Sequence, residues 1–115
     1  MSFDRRIYKR SENRFCDAEI SEDGKKWLPT VLYDLSSGGM KVDTTLDCPV
    51  GAVLKAHLVI RNVLREFDIR TDARVRRKEV YDGKFSYGLS FQNLKTDDII
   101  HIDECIRAMM PKMLD

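Results

Sequence analysis

Phe67-Asp68-Ile69-Arg70-Thr71-Asp72-Ala73-Arg74-Val75-Arg76 alternates charged residues with mostly apolar ones along its whole length. Successive side chains of a β-strand point to opposite faces of a sheet, so this stretch predicts a strand with one dry face and one wet face. A lone strand cannot cover its dry face. The fold is therefore decided by how many similar strands surround this one.

Strand-like patterns recur on both sides of this stretch. Upstream they cover residues 15–20, 27–33, 40–45 and 54–60, and downstream they cover 85–91. Glu22-Asp23-Gly24-Lys25 and Asp82-Gly83 are typical of hairpin turns. Pro29 removes one hydrogen-bond donor from its segment, which predicts a sheet edge or a bulge there. These patterns together predict six antiparallel strands.

The apolar period changes from two to that of a helix at Thr96. Thr96 is predicted to be the N-cap, and Pro111 is predicted to kink or end the helix near its last turn. Asp97 and Asp98 suit the positive end of the helix dipole. The apolar side of this helix comprises Ile99, Ile102, Ile106, Met109, Met110 and Met113.

We therefore predict a mainly β fold, a six-stranded antiparallel β-barrel with a C-terminal α-helix and a basic N-terminal arm. The predicted single domain spans residues 1–115, with the arm at 1–13, the barrel at 14–94 and the helix at 95–115. The net charge of the chain is only +1. Residues 1–14 hold five Lys/Arg against two acids, which leaves −2 for the remainder.

The composition excludes several functional classes. Three widely spaced cysteines and no apolar run of membrane-spanning length predict a cytoplasmic protein without membrane insertion. His57 and His101 stand alone, and no side chains suggest a nucleophile with its base or a set of metal ligands. We expect no enzymatic activity, no metal and no cofactor. The Met109, Met110 and Met113 cluster is interpreted as core, with a partner contact as the alternative.

Two short segments carry chemistry suited to an anionic purine nucleotide. Arg6 and Arg10 are four residues apart, so their guanidinium groups can bracket one ligand and bind phosphates or the O6/N7 edge of guanine. The Asp34 carboxylate can accept from guanine N1 and N2. Gly38 and Gly39 permit positive φ and a close approach of the backbone to a ligand. Hydroxyl groups come from Ser36 and Ser37.

Each segment also has a plainer interpretation. A basic arm is often a solvated tail, and Asp-x-Ser-x-x-Gly is often a hairpin turn whose Asp and Ser bond their own backbone. Arg74, Arg76, Arg77 and Lys78 form a basic patch that is interpreted as a solvated strand face, with a phosphate contact as the alternative. The order of the two segments, followed by strands and a terminal helix, is more specific than either segment alone.

With these motifs the chain resembles the PilZ domain, a bacterial receptor for the second messenger cyclic di-GMP. The matching residues are Arg6-x-x-x-Arg10 preceded by Arg5, Asp34-x-Ser36-x-x-Gly39, and the late strand Tyr87-Gly88-Leu89-Ser90-Phe91. The resemblance implies that Arg5, Arg6 and Arg10 hold phosphates and guanine edges. It also implies that Asp34 and Ser36 bond guanine and that Gly39 keeps the turn open.

The leading hypothesis is a receptor for cyclic di-GMP whose arm changes conformation on binding and signals to an unidentified downstream protein. One alternative is a PilZ-like adaptor that works by protein contact with weak or no nucleotide binding. Another is a small barrel that binds RNA or DNA through the arm, which the near-neutral charge disfavours. Ordering about ten residues costs on the order of 10 kcal/mol. Because each bidentate arginine contact returns about 1–3 kcal/mol, we expect either that much of the arm is partly docked before binding or that only a few residues around Arg5–Arg10 become ordered on binding.

Overall fold

The structure, a computed structural model, describes residues 16–61 and 65–114, with side chains described as far as residue 107. Its seven strands and one helix follow the predicted order. The strands are β1 (Cys16–Ser21), β2 (Leu28–Pro29), β3 (Val31–Ser36), β4 (Gly39–Thr44), β5 (Val53–Arg61), β6 (Glu66–Tyr81) and β7 (Lys84–Gln92). The helix α1 spans Thr96–Leu114.

All strand pairs are antiparallel, in the order β2-β1-β5-β6-β7-β4-β3. The two end strands, β2 and β3, are consecutive parts of one segment interrupted at Thr30. Its first part pairs with β1 and its second with β4, so the sheet curls round and closes at this corner. The Thr30 hydroxyl donates to the Ala18 carbonyl at 2.8 Å. The predicted barrel is confirmed, and counting the interrupted segment as two strands gives seven.

The barrel interior holds the alternating apolar side chains. Ile69, Ala73 and Val75 of the opening stretch are at most 1% exposed, while Asp68 and Arg70 lie on the exposed face. Phe67 and Thr71 are half-buried. On β7, Tyr87 and Leu89 are buried, and Phe85 and Phe91 pack against the same core. The period-two pattern therefore predicted the faces of both strands.

The C-terminal helix differs from its prediction at its N-terminus. The first helical hydrogen bond runs from Ile99 N to the Lys95 carbonyl at 3.1 Å, so Lys95 takes the cap position predicted for Thr96. The helix continues three residues beyond Pro111, to Leu114. Ile102 and Cys105 are buried against the barrel. The predicted methionine cluster lies outside the described side chains. In the described part of the chain, no helix has the length and apolar character to cross a membrane.

Candidate functional site

An open pocket of about 340 Å³ lies on the outer surface of β3, β4, β6 and β7. The predicted residues Asp34, Ser36 and Gly39 line it. So do three cations, Lys41 of β4 and Arg76 and Arg77 of β6. The remaining lining residues are Gly38, Met40, Glu79, Ser86, Gly88 and Leu89.

The strand register explains how distant residues meet in this pocket. Asp34 pairs with Lys41, Lys41 pairs with Gly88, and Gly88 pairs with Arg77. These four residues form a row across four neighbouring strands, with a carboxylate at one end and a guanidinium at the other. At about 4.8 Å per strand, the row is about 14 Å long between the outer α-carbons. That length suits a ligand the size of a dinucleotide.

A β-bulge brings both Arg76 and Arg77 to the pocket. The pairing of β6 with β7 shifts between Val75 and Arg77, so Arg76 is an extra residue in its strand. Strict alternation would turn Arg77 toward the core, whereas with the bulge both arginines are exposed. The bulge therefore doubles the positive charge that β6 presents to this surface.

Both arginines lie against β7. The Nε of Arg76 donates to the Ser90 hydroxyl at 2.9 Å. A β-carbon added to Gly88 would lie 3.5 Å from the Arg77 Cβ and 3.6 Å from its Cδ, so the Arg77 stem passes directly over that glycine. Because these contacts hold the arginine stems along the sheet, the two guanidinium groups are partly pre-organised for an anion.

The hydroxyl of Ser36 serves the hairpin between β3 and β4. It accepts from Gly38 N at 3.2 Å and donates to the Gly39 carbonyl at 3.5 Å. The plainer interpretation of this motif, a turn bonded to its own serine, therefore describes Ser36. Its side chain is exposed and also lines the pocket, so the turn places this hydroxyl beside Asp34.

Gly39 is required for a reason other than the predicted one. Among the described glycines only Gly24, Gly51 and Gly83 have positive φ, so neither Gly38 nor Gly39 uses that freedom. A β-carbon on Gly39 would instead collide with the Leu89 carbonyl oxygen and lie 3.0 Å from its carbonyl carbon. The absence of a side chain at Gly39 therefore allows a close approach to the backbone of β7.

The structure divides the predicted basic patch among three surroundings. Arg76 and Arg77 line the pocket, whereas the Nη1 of Arg74 donates to the Gly51 carbonyl at 3.0 Å. Lys78 pairs with Asp47. Within the predicted patch, only Arg76 and Arg77 therefore lie where they could contact a phosphate bound in the pocket.

Lys41 was missed by the sequence reasoning, although it follows Gly39 by two residues and shares the outer face with Asp34.

The predicted site residues of the arm, Arg5, Arg6 and Arg10, lie outside the described residues. The described part of the pocket holds Lys41, Arg76 and Arg77 against the carboxylates of Asp34 and Glu79. It therefore offers donors for phosphates and acceptors for base edges on one open surface. Within the described ranges, no cluster of three His, Cys, Asp or Glu side chains is arranged to hold a metal ion.

Comparisons with known proteins give a consistent result. A family model described as the PilZ domain matches residues 4–108. The fold is similar to that of MotI/DgrA, the inhibitor of motility of Bacillus subtilis, with a TM-score of 0.72 and 23% identity over 87% of this chain and 49% of that one. It is also similar to MrkH of K. pneumoniae in its apo state, with a TM-score of 0.70 and 17% identity over 88% of this chain and 49% of that one.

A third similar structure is the PilZ domain of YcgR from Escherichia coli with c-di-GMP. Its TM-score is 0.62 at 18% identity, over 87% of this chain and 85% of that one. This chain spans about half the length of MotI and of MrkH. No curated protein matches the sequence. At these identities the structural likeness demonstrates a shared fold.

Proposed function

The chain belongs to the PilZ domain family, and from this premise we propose that it is a receptor for cyclic di-GMP. The pocket on β3, β4, β6 and β7 is the binding site in this proposal. The observation that carries it is the assembly of Asp34, Ser36 and Gly39 with Arg76 and Arg77 around one open pocket. YcgR, a protein of similar fold, has been solved with this nucleotide.

The carboxylate, the hydroxyl, the cations and the glycines of the pocket have separate roles in the proposed complex. Asp34 accepts from N1 and N2 of one guanine, and the Ser36 hydroxyl adds a bond to the same base. Arg76, Arg77 and Lys41 face the phosphates, where a guanidinium can bond two oxygens at once. Gly39 and Gly88 keep the floor of the pocket free of side chains, so the ligand can lie close to the sheet.

The arm completes the site in this proposal, with Arg5, Arg6 and Arg10 contacting phosphates and guanine edges. The strand cations change the energetic argument for the arm. Lys41, Arg76 and Arg77 stand on paired strands and therefore contribute attraction without the ordering cost of an arm. Three arginines of the arm then need not supply the roughly −8 kcal/mol of a micromolar complex alone. A change in the arm on binding would be the signal read by a downstream protein.

Calorimetric titration of the full chain tests this proposal. Cyclic di-GMP should bind saturably, whereas GTP and single-stranded nucleic acid should not. Asp34→Ala, Arg6→Ala and Arg77→Ala should each weaken binding about tenfold or more. Arg70→Ala is the matched control, because Arg70 lies on the same strand but faces the Trp27 ring with its Cζ 6.0 Å from the ring centroid.

The outcomes separate the candidate functions. An absence of heat with cyclic di-GMP would overturn the receptor and leave the adaptor that works by protein contact. Binding of single-stranded nucleic acid at similar affinity would support the third candidate. A loss of affinity in Arg70→Ala as large as that in Arg77→Ala would place the ligand elsewhere on β6.

A further inference from the structure

The far end of the pocket contains chemistry that the phosphates and the first guanine leave unused. Glu79 lines the pocket from β6, two residues beyond Arg77 and on the same outer face. It pairs across the sheet with Ser86, another lining residue. A carboxylate at this position is unhelpful to a phosphate, because like charges repel. A carboxylate beside three cations is instead suited to accept hydrogen bonds from a donor group of the ligand.

Tyr81 lies next along the same face. It is two residues beyond Glu79, and 46% of its surface is exposed. Large aromatic side chains bury most of their surface when they serve the core, as Tyr33 and Tyr87 do here with at most 1% exposed. Tyr81 is instead exposed on the strand face that Glu79 shares, two residues beyond this last β6 residue of the pocket lining, and a planar base can stack on such a ring.

The turn after Tyr81 fixes the position of both side chains. Asp82 and Gly83 have φ values of 51° and 70°, which is the two-residue hairpin geometry that continues the twist of the strands. Tyr81 pairs with Lys84 directly before and after this turn. Glu79 and Tyr81 therefore stand on a regular hairpin rather than on an irregular loop.

We propose that Glu79 and Tyr81 form a second base subsite, which binds the other guanine of the same cyclic di-GMP molecule. This deepens the proposed function and rests on it. The Glu79 carboxylate accepts from N1–H and the N2 amino group, as Asp34 does at the opposite end, while the base stacks on Tyr81. Cyclic di-GMP carries one guanine on each side of its phosphate ring. Two acceptors flanking the three cations match that distribution of donors and charge.

The mixed dinucleotide 3′,3′-cyclic GMP-AMP isolates the second subsite. Its guanine occupies the Asp34 end, and its adenine, which lacks the N1–H and N2 donors, faces Glu79. The wild-type chain should therefore bind cyclic di-GMP about tenfold or more tightly than the mixed dinucleotide. Glu79→Gln should weaken cyclic di-GMP to nearly the affinity of the mixed dinucleotide and leave the latter almost unchanged.

Stacking has a different signature, because every base has a π-face. Tyr81→Leu should weaken both dinucleotides by a similar factor, and Tyr81→Phe should restore both. Val80→Thr is the matched control, since Val80 is 61% exposed in the same hairpin but points to the opposite face. It should leave both affinities at their wild-type values.

These titrations distinguish the two proposals. If cyclic di-GMP binds and Asp34→Ala weakens it, but Glu79→Gln leaves the ratio between the two dinucleotides unchanged, the second subsite is overturned and the receptor stands. If the wild-type chain binds neither dinucleotide, both proposals fall. The subsite is supported if Glu79→Gln makes the affinities for the two dinucleotides nearly equal while Val80→Thr leaves their ratio at the wild-type value.

Discussion

At the residue scale, Gly39 lines the pocket and also lets β4 pack closely against β7 in the barrel. Any β-carbon here meets the backbone of Leu89 and lies 3.1 Å from the Ser90 Cα. Gly39→Ala must therefore push β4 away from β7, which should cost about 1–3 kcal/mol or more. For a domain of this size, thermal unfolding should show a midpoint lowered by about 4 °C or more.

The adjacent glycine provides the control for this prediction. A β-carbon on Gly38 would lie 3.7 Å from the Ser36 Oγ, an ordinary contact, and its φ is not positive. Gly38→Ala should therefore change the unfolding midpoint by no more than about 2 °C, which corresponds to a few tenths of a kcal/mol. Equal midpoints for the two variants would contradict the close approach of β4 and β7.

Ser90 is the positioning residue for Arg76. Its hydroxyl accepts from Arg76 Nε at 2.9 Å and from Gln92 Nε2 at 3.3 Å. Ser90→Ala removes that acceptor, so the guanidinium loses its fixed position and affinity for cyclic di-GMP should fall severalfold, at about 1 kcal/mol for a lost hydrogen bond. Ser90→Thr keeps the hydroxyl and should retain the affinity. Calorimetric titration of both variants checks this, and equal affinities in the two would refute the positioning role.

At the scale of single elements, the turn between β1 and β2 depends on one carboxylate oxygen. Asp23 Oδ1 accepts from Lys25 N at 2.8 Å, from Lys26 N at 3.0 Å and from the Ser21 hydroxyl at 3.0 Å. These bonds hold the pKa of Asp23 below its usual value, and the bond from Lys25 N has the largest effect. The ionised carboxylate is thus favoured by the folded chain.

The sign of the resulting pH dependence follows from that direction. A lowered carboxyl pKa stabilises the fold above the unfolded value near 4, and the contribution is lost as the pH falls through the folded pKa. Wild type should therefore unfold at a higher temperature than Asp23→Asn at pH 7, and this gap should narrow as the pH falls below about 4. Thermal melts at these pH values check this. Glu22→Gln removes a charge from the same turn and is the control, and a gap that does not narrow as the pH falls below about 4 would count against the Asp23 bonds.

Element-scale comparison also shows what alternation can and cannot predict. Period-two patterning located the strands and their buried faces, because every second side chain of a half-buried strand is apolar. Pro29 predicted an edge or a bulge in its segment, and the interruption follows it at Thr30, where β2 forms one end of the sheet. The bulge at Arg76 is a shift of register between β6 and β7, and the pattern of β6 alone does not contain it. For this reason Arg76 and Arg77 were interpreted as a solvated face, whereas the motif at Asp34, Ser36 and Gly39 was found directly.

At the scale of the whole molecule, the site is a product of sheet order. Arg77 follows Asp34 by 43 positions, and the strand order β6-β7-β4-β3 places them on one surface. A barrel with a terminal helix could be predicted from the number of strands and the change of period. Which strands become neighbours depends on how the barrel closes, so the partners of Asp34 could not be derived from spacing alone.

The interior of the barrel also sets its behaviour in alkali. Burial raises the pKa of the thiols of Cys16 and Cys48 above their usual range, and raises the pKa of Tyr87 to about 12. The Tyr87 hydroxyl donates to the Leu46 carbonyl at 2.6 Å and accepts from Cys48 N at 3.0 Å. In the unfolded chain these groups lose their protons near pH 8.5–10. In the folded chain Cys16 and Tyr87 stay protonated over that range, and Cys48 loses its proton at a higher pH than in the unfolded chain.

Stability should therefore fall as the pH rises above about 9, because the unfolded state then binds fewer protons than the folded state. Each group adds a slope of up to about 1.4 kcal/mol per pH unit until its folded pKa is reached. Tyr87→Phe should be less stable at pH 7 by about 1–3 kcal/mol, since Cys48 N loses its buried acceptor. Between pH 9.5 and 11, however, its stability should decline less steeply. Urea unfolding at pH 7, 9, 10 and 11 checks both effects, and an equal decline in the two proteins would show that Tyr87 does not resist ionisation in the folded barrel.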